Sequence, residues 1–136
     1  MQLVARAGDG AMRARRRLSV DYQELAKLVA ADGAENDGFG VSVAIDGDTV
    51  VAGASRDDDG SSDSGSVYVL RTSDGGATYV EVAKLTASDA ASGDWFGTSV
   101  AIDGGTIVVA AHNKNSGRGA VYVSVSYTHL TLPTKA

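Results

Sequence analysis

The side chains that could bind a metal ion in this 136-residue chain are concentrated in the segment "RDDDGSSDSG", residues 56–65. Asp57, Asp59 and Asp63 are spaced along it, with Ser61 between them. Carboxylates and carbonyls spaced along a loop are the ligands that Ca²⁺ prefers. These three residues are therefore our candidate calcium site. The alternative is a solvated turn, which is favoured by the later segment "NKNSGRG" because that segment holds no acid.

Groups for catalysis are scarce. The chain has no cysteine, and before residue 125 its only histidine is His112. A sialidase-type glycosidase needs several arginines around a substrate carboxylate together with an acid/base, whereas Arg56, Arg71 and Arg118 are scattered along the sequence. We therefore predict that the chain is not an enzyme and that His112 is a surface or structural residue rather than a general base.

The charge is unevenly distributed, with a net value of −5. Residues 1–17 hold five arginines against Asp9, a balance of +4, so the rest of the chain carries −9. A basic segment can bind nucleic acid, but no aromatic residues for base stacking lie between the arginines, and the acidic remainder repels phosphate. No nucleic-acid partner is predicted. No apolar run approaches the ~20 residues of a membrane helix, so no membrane segment is predicted either.

An internal repeat organises the sequence. Ala26–Ala54 aligns with Ala83–Ala111 without a gap, with 18 identities in 29 positions and an offset of 57. Further on, "SGSVYV" (64–69) corresponds to "RGAVYV" (118–123), where three fewer residues separate the segments. Repeats of this length are typical of solenoids, propellers and arrays. A β-sandwich would explain the strands described next but gives no reason for the repeat.

Each repeat predicts four antiparallel strands. Val41–Ile45 alternates in polarity, a turn follows at 46–48, and Thr49–Ala54 is apolar throughout, as in a strand buried on both faces. Val67–Arg71 is β-branched and aromatic. Tyr79–Ala87 loses its alternation near Ala83, which predicts a bulged outer strand, and residues 22–30 are its equivalent in the preceding repeat.

The repeated block resembles the FG-GAP repeat, the blade of integrin α-subunit-like β-propellers. Phe39-Gly40 and Phe96-Gly97 stand at the FG of that motif, and "VVAGAS" (50–55) and "VVAAHN" (108–113) stand at its GAP. The resemblance covers roughly residues 22–123 and implies an all-β fold, a β-propeller fragment of about two four-stranded antiparallel blades. Calcium is the usual ligand of this family, but the loops between these strands, "IDGDT" and "IDGGT", are too short to wrap an ion.

A second resemblance lies between the third and fourth strands. "TSDGGATY", Thr72 to Tyr79, is similar to the Asp-box of sialidases and other propellers. The resemblance implies a structural role, in which Asp74 accepts hydrogen bonds from backbone N–H groups and Tyr79 anchors the turn.

The resemblances suggest four segments. Residues 1–21 form a basic N-terminal segment that resembles the remnant of a preceding blade. Residues 22–82 are the first repeat, and 83–123 are a truncated second repeat. The stretch "VSYTHLTLPT" resembles a translated sequencing adapter, so we expect residues 124–136 to be non-native and the chain to be a fragment.

Within the repeats, Asp32 and Asp37 recur as Asp89 and Asp94. We interpret these four acids as Asx-turn residues that satisfy loop N–H groups rather than as ligands. Phe39 and Phe96 are interpreted as core wedges between the blades.

The function implied by the FG-GAP resemblance is extracellular or cell-surface binding and adhesion without catalysis. Protein or carbohydrate ligands would bind through loops, and other blades of the full-length propeller would be further partners. The alternative is a fragment of a sialidase-like propeller glycoside hydrolase, suggested by the Asp-box.

Overall fold

The computed structural model describes residues 20–58 and 62–126, which form two antiparallel β-sheets. The first 19 residues of the predicted basic segment and residues 127–136 of the predicted non-native tail lie outside the described residues. Sheet 1 contains four strands in the order β1-β2-β3-β4, and sheet 2 contains three in the order β5-β6-β7. The strands are β1 (Phe39–Asp46), β2 (Thr49–Ala54), β3 (Ser66–Arg71), β4 (Val80–Leu85), β5 (Phe96–Asp103), β6 (Thr106–Ala111) and β7 (Ala120–Val125).

Sheet 1 confirms the strands predicted for the first repeat. A two-residue turn at Gly47 joins β1 to β2, so that Asp46 pairs with Thr49 and Ile45 with Val50. Gly47 has a φ of 59°, which a tight hairpin turn requires and glycine adopts without steric cost. The predicted bulge is present in β4, where the pairing with β3 shifts between Val69 and Leu70. Strand β2 is buried on both faces, as its run of small apolar residues indicated.

Sheet 2 repeats this arrangement with three strands among the described residues, against four in sheet 1. Strands β5 and β6 pair in the same register as β1 and β2. Between β6 and β7 lies the short helical element Lys114–Gly117, in which Asn115 and Ser116 have left-handed backbone angles. No helix among the described residues is long and apolar enough to cross a membrane.

The two sheets pack face to face, with β5 against β1, β2 and β3. Glycine permits this close approach, because a Cβ added at Gly53 would lie 2.1 Å from the carbonyl oxygen of Gly97. The Ser42 hydroxyl also donates to that oxygen, at 2.8 Å. The shared core consists of Val51, Val67, Val69, Ala87, Phe96, Ile107, Val109 and Ala111.

Each sheet has a second side that faces away from this shared core. On sheet 1 this side exposes three β1 residues, and we call it the N-terminal flank: Val41 (56% exposed), Val43 (66%) and Ile45 (63%). On sheet 2 this side carries residues of β6 and β7, and we call it the C-terminal flank. It consists of Val108 and Ala110 of β6, both half-buried, and of Val121 (65% exposed) and Val123 (64%) of β7. The molecule therefore presents apolar side chains on both outer sides.

Residues 20–30 do not form the strand that their equivalence to β4 predicted. Alternate side chains nevertheless turn toward sheet 1, since Ala26, Leu28 and Ala30 are half-buried whereas Leu25 and Val29 are more than half exposed. Leu28 and Ala30 pack against a small cluster on the outer side of sheet 1 that contains Ala54, Tyr68 and Leu70. The segment covers part of that side without pairing to a strand.

Candidate functional site

The chain connections alternate between two ends of the sheets, because consecutive strands are antiparallel. Residues 46–49, 72–79 and 103–106 lie at one end, which we call the hairpin end. Residues 31–38, 55–58, 62–65, 86–95 and 112–119 lie at the other, which we call the loop end. Backbone hydrogen bonds join the loops there, for example from Gly93 N–H to the Ser62 carbonyl and from Trp95 N–H to the Asp63 carbonyl.

The first charged group at the loop end surrounds Lys84 of β4. Its Nζ lies 2.6 Å from the Asp32 carboxylate, 3.0 Å from the Asp57 carboxylate and 5.0 Å from the centre of the Tyr68 ring. The Tyr68 hydroxyl donates to Asp32 at 2.7 Å, and the Ser66 hydroxyl donates to Asp57. Asp57 is buried, so Lys84 balances a carboxylate that water reaches poorly.

The second charged group repeats the first with the cation on a different element. Tyr122 donates to Asp89 at 2.7 Å, as Tyr68 does to Asp32. The ammonium comes from Lys114, which lies 2.9 Å from Asp94 and 3.4 Å from Asp89. In the alignment of the two repeats, Lys114 stands at the position of Asp57. The ion pair to the recurring acid is therefore made by a loop lysine in the second repeat and by Lys84 of β4 in the first.

These contacts shift the pKa values of five side chains in the two charged groups. The hydrogen bonds from Lys84 and Tyr68 lower the pKa of Asp32, and those from Tyr122 and Lys114 lower the pKa of Asp89. Burial, together with the bond to Asp32 or Asp89, raises the pKa of Tyr68 and of Tyr122. The bond to Asp94 raises the pKa of Lys114. None of these shifts moves a group toward the neutral range where general acid–base catalysis works best.

Two of the four recurring acids satisfy loop N–H groups as predicted, but each accepts the N–H three residues before it, so neither forms the predicted Asx-turn. Asp37 accepts the N–H of Ala34, and Asp94 accepts the N–H of Ala91, both at 2.9 Å. For Asp32 the interpretation as a loop-turn acid was wrong, because its carboxylate accepts the Tyr68 hydroxyl and pairs with Lys84. Sequence reasoning missed these contacts, because the partners come from strands 36 and 52 residues away.

Asp89 corrects the same interpretation in the second repeat. Its carboxylate accepts the Tyr122 hydroxyl and pairs with Lys114. A tyrosine that follows the recurring acid by a similar distance in both repeats was the available signal.

The candidate calcium ligands are only partly described. Asp57 is buried, with its carboxylate bound to Lys84 and Ser66. Asp63 has a φ of 54°, and its backbone N–H donates to the Asp58 carboxylate at 2.7 Å. Asp59 lies outside the described residues. Calcium binding by the three acids stays a prediction.

An aromatic and basic stack lies at the loop end where the two sheets meet. The Trp95 ring is half-buried, with the Arg56 guanidinium carbon 5.1 Å from its centroid. The His112 ring lies 5.2 Å from Trp95 and is tilted by 53°. Arg56 and His112 are exposed. Sequence reasoning gave His112 a surface or structural role but missed this stack, which joins the loops after β2, before β5 and after β6.

Trp95 also has an unusual backbone conformation. Its φ is 61°, a left-handed value that side chains with a Cβ rarely adopt. The equivalent residue in the first repeat is Gly38, with a φ of 75°. A tryptophan at a glycine position of the repeat was therefore the signal that the sequence contained.

At the hairpin end, the Asp-box turn has the geometry that the resemblance implied. The Asp74 carboxylate accepts the Thr78 N–H at 3.0 Å and the Thr78 hydroxyl at 2.6 Å. Thr72 donates its hydroxyl to Asp74 and accepts the Gly76 N–H at 3.0 Å. Bonds from Thr78 and Thr72 lower the pKa of Asp74 to about 2. The polar groups of the turn form hydrogen bonds with one another, so the role of the turn is structural.

A groove of about 410 Å³ separates the two sheets at this end. Among the described residues that line it, most side chains are apolar and Arg71 is the one that is charged. The lining includes Val69, Val82, Leu85, Ile102, Ile107 and Val125. The groove can hold an apolar group but offers no pair of groups for chemistry.

Comparison with known proteins identifies the repeated unit. The FG-GAP repeat family model matches residues 22–70 and 73–124. No curated protein matches the chain. These two matches span the sheets, the loop end and most of the charged groups, and FG-GAP repeats are blades of a propeller. The chain belongs to the FG-GAP repeat family.

Proposed function

We propose that this chain is a non-catalytic binding module that binds protein or carbohydrate ligands at its loop end, in an extracellular or cell-surface setting and in the service of adhesion. The observation that carries the proposal is the stack of Arg56, Trp95 and His112. It lies on loops held by two packed sheets, which is a rigid support for recognition.

The energetic argument concerns Trp95. A side chain held at positive φ costs about 1–3 kcal/mol, and such residues cluster at functional sites. The fold itself does not need tryptophan here, because the first repeat builds the same turn with Gly38. A binding role explains why a large aromatic side chain occupies a position that glycine fills at lower cost.

The chemistry of the stack defines the ligand it suits. The partly exposed indole provides an apolar ring surface, and Arg56 provides a cation that is exposed to solvent. A ligand that combines an apolar face with an anionic group matches both features. Acidic carbohydrates and acidic segments of proteins both contain this combination.

Two observations support a non-catalytic role. FG-GAP repeats are generally non-catalytic. Asp32, Asp89 and Lys114 of the two charged groups have pKa values displaced away from neutrality. Arg56 and Arg71 lie at opposite ends of sheet 1, so they do not converge on one substrate. The glycoside hydrolase alternative draws only on the Asp-box, whose turn is structural.

The test uses a panel of acidic and neutral glycans and of extracellular matrix proteins. Trp95→Gly removes the ring and also relieves the positive φ, so the variant should remain at least as stable as wild type. We expect it to lose binding at least tenfold to whichever ligand the wild type binds. Arg56→Ala should weaken the same binding, whereas Arg71→Ala, at the hairpin end, is the matched control and should not.

Two results would overturn the proposal. One is wild-type binding to a panel member that both Trp95→Gly and Arg56→Ala leave unchanged. The other is turnover of a fluorogenic sialoside by the purified wild-type chain, which would establish the hydrolase alternative instead.

A further inference from the structure

The two flanks carry residues that the other repeat buries. In sheet 1, Val67 is 0% exposed and Val69 is 7% exposed, because both face sheet 2. Their equivalents on the C-terminal flank, Val121 and Val123, are 65% and 64% exposed. The C-terminal flank is thus a copy of the surface that sheet 1 presents to sheet 2.

The N-terminal flank shows the reverse relation. Val100 and Ile102 of β5 pack against the core that the two sheets share. Their equivalents in β1, Val43 and Ile45, are 66% and 63% exposed. The N-terminal flank is thus a copy of the surface that sheet 2 presents to sheet 1. The two surfaces that pack against each other inside the molecule therefore each recur, exposed, on one of its outer sides.

The segment equivalent to β4 and the free edge of sheet 2 also lie on opposite outer sides of the molecule. Residues 23–28 are equivalent to β4 but pair with no strand, while β7 ends sheet 2 with one edge unpaired among the described residues. Leu28 and Ala30 pack on sheet 1 as their equivalents Leu85 and Ala87 pack on the shared core. One chain cannot join its own segment to its own β7, because the flanks face in opposite directions.

We propose that a second copy of this chain binds head to tail, the C-terminal flank of one copy against the N-terminal flank of the other. The contact reproduces the packing of sheet 1 on sheet 2. Residues 23–28 of one copy then pair with β7 of the other and complete sheet 2 as its fourth strand, a form of β-strand addition. Such a contact is heterologous, so each pair leaves one flank of each kind open.

One position makes this contact looser than the internal one. Gly53 allows the close approach to Gly97, but its equivalent on the C-terminal flank is Ala110. The equivalent of Gly97 is Gly40, so the Ala110 methyl group meets the backbone of the second copy. The sheets must separate slightly there, which weakens the contact relative to the one inside the chain.

The test mixes two variants that each block one flank. Val43→Asp with Ile45→Asp blocks the N-terminal flank, and Val121→Asp with Val123→Asp blocks the C-terminal flank. All four side chains are more than half exposed, so the fold of a single copy should persist, as circular dichroism will check. In sedimentation velocity we expect the wild type to associate and each variant to be a monomer. An equal mixture should form a one-to-one dimer, because the open flanks are complementary.

Matched controls distinguish this contact from non-specific hydrophobic association. Val80 of β4 is 64% exposed but lies on neither flank, so Val80→Asp should associate as the wild type does. Ala110→Gly should tighten association severalfold, which a destabilised fold would not produce. Amide hydrogen exchange of residues 23–28 should slow as the concentration of the wild type rises.

Any of four results would overturn the proposal. These are a wild type that stays monomeric at every accessible concentration, a blocked variant that associates alone, a mixture that stays monomeric, or a dimer in which residues 23–28 exchange as fast as in the monomer. The stack of Arg56, Trp95 and His112 contains no flank residue, so ligand binding at Trp95 is tested separately by Trp95→Gly and can fail or succeed independently of this test.

Discussion

Phe39 and Phe96 occupy the same place in the two repeats, yet their surroundings differ. Each stacks edge to face on the tyrosine of the third strand, Phe39 on Tyr68 at 5.2 Å and Phe96 on Tyr122 at 5.3 Å. Phe96 is 2% exposed because sheet 1 covers it, whereas Phe39 is only half-buried. The contact between phenylalanine and tyrosine is the same in both repeats because the local sequence is the same. The burial of the phenylalanine differs because it depends on whether another sheet covers it. The interpretation of both rings as wedges between sheets holds for Phe96 alone.

The largest expected effect follows directly from this difference. Phe96→Ala should lower the free energy of unfolding by about 4 kcal/mol, because it leaves a cavity in the core that the two sheets share. Phe39→Ala should cost about 1–2 kcal/mol, because solvent already reaches that ring. Urea denaturation of both variants measures the difference. Equal losses would show that the two sheets do not form one core.

The charged groups provide a second comparison. Lys84→Met leaves Asp57 buried without its cation and should cost about 3 kcal/mol. Lys27 is the equivalent lysine of the preceding segment and is exposed, so Lys27→Met should change stability by less than about 0.5 kcal/mol. Thermal unfolding of the two variants checks this. A comparable loss at Lys27 would mean that the lysine stabilises by its place in the repeat rather than by its contact with Asp57.

Features with a local cause could be predicted from the sequence. The alternation of Val41–Ile45, the turn at Gly47 and the lost alternation near Ala83 gave the strands of sheet 1, the hairpin and the bulge. The repeat predicted a second sheet of the same kind. The family match and the two sheets bear out these predictions.

Features that depend on a distant partner could not be predicted. Identical motifs predict identical burial, yet Val67 and Val121 differ because only one of them faces another sheet. The cation that pairs with Asp89 comes from the loop residue Lys114 instead of a fourth strand, and no local pattern indicates that exchange. The Trp95 stack unites three separate loops, so its residues do not form a motif.

Close packing between the sheets predicts an effect of intermediate size. A Cβ at Gly53 would lie 2.1 Å from the Gly97 carbonyl oxygen, which belongs to backbone and cannot rotate away. Gly53→Ala should therefore cost about 2 kcal/mol as the sheets are forced apart. Gly105→Ala is the control, since a Cβ there meets its nearest neighbour, in Ser126, at an ordinary 3.6 Å. If the two variants unfold at the same urea concentration, the sheets are not in close contact at Gly53.

The Asp-box turn predicts a pH dependence that is independent of sheet packing. The folded-state pKa of Asp74 is about 2, below its ordinary value of 3.8. The stabilisation is therefore present above about pH 4 and is lost as the pH falls through about 2. Asp74→Ala should melt at a lower temperature than wild type at pH 7. The melting curves should converge between pH 4 and pH 2. Asp48→Ala, at an exposed turn residue, is the control and should not show this convergence. A difference in melting temperature between Asp74→Ala and wild type that stays constant from pH 4 to pH 2 would contradict the role of the Asp74 carboxylate.

The smallest expected effect concerns calcium and compares the acidic loop 55–65 with the acid-free loop 112–119. Asp57 already has a cation in Lys84, 3.0 Å away, so a divalent ion would have to compete with that ion pair. Titration with CaCl₂ should therefore raise the melting temperature no more than MgCl₂ at the same ionic strength. A saturable rise specific to Ca²⁺ would show that Asp57, Asp59 and Asp63 do form a site, provided that Asp59→Ala abolishes it. Asp103→Ala, in the hairpin of sheet 2, is the matched control and should leave any such rise intact.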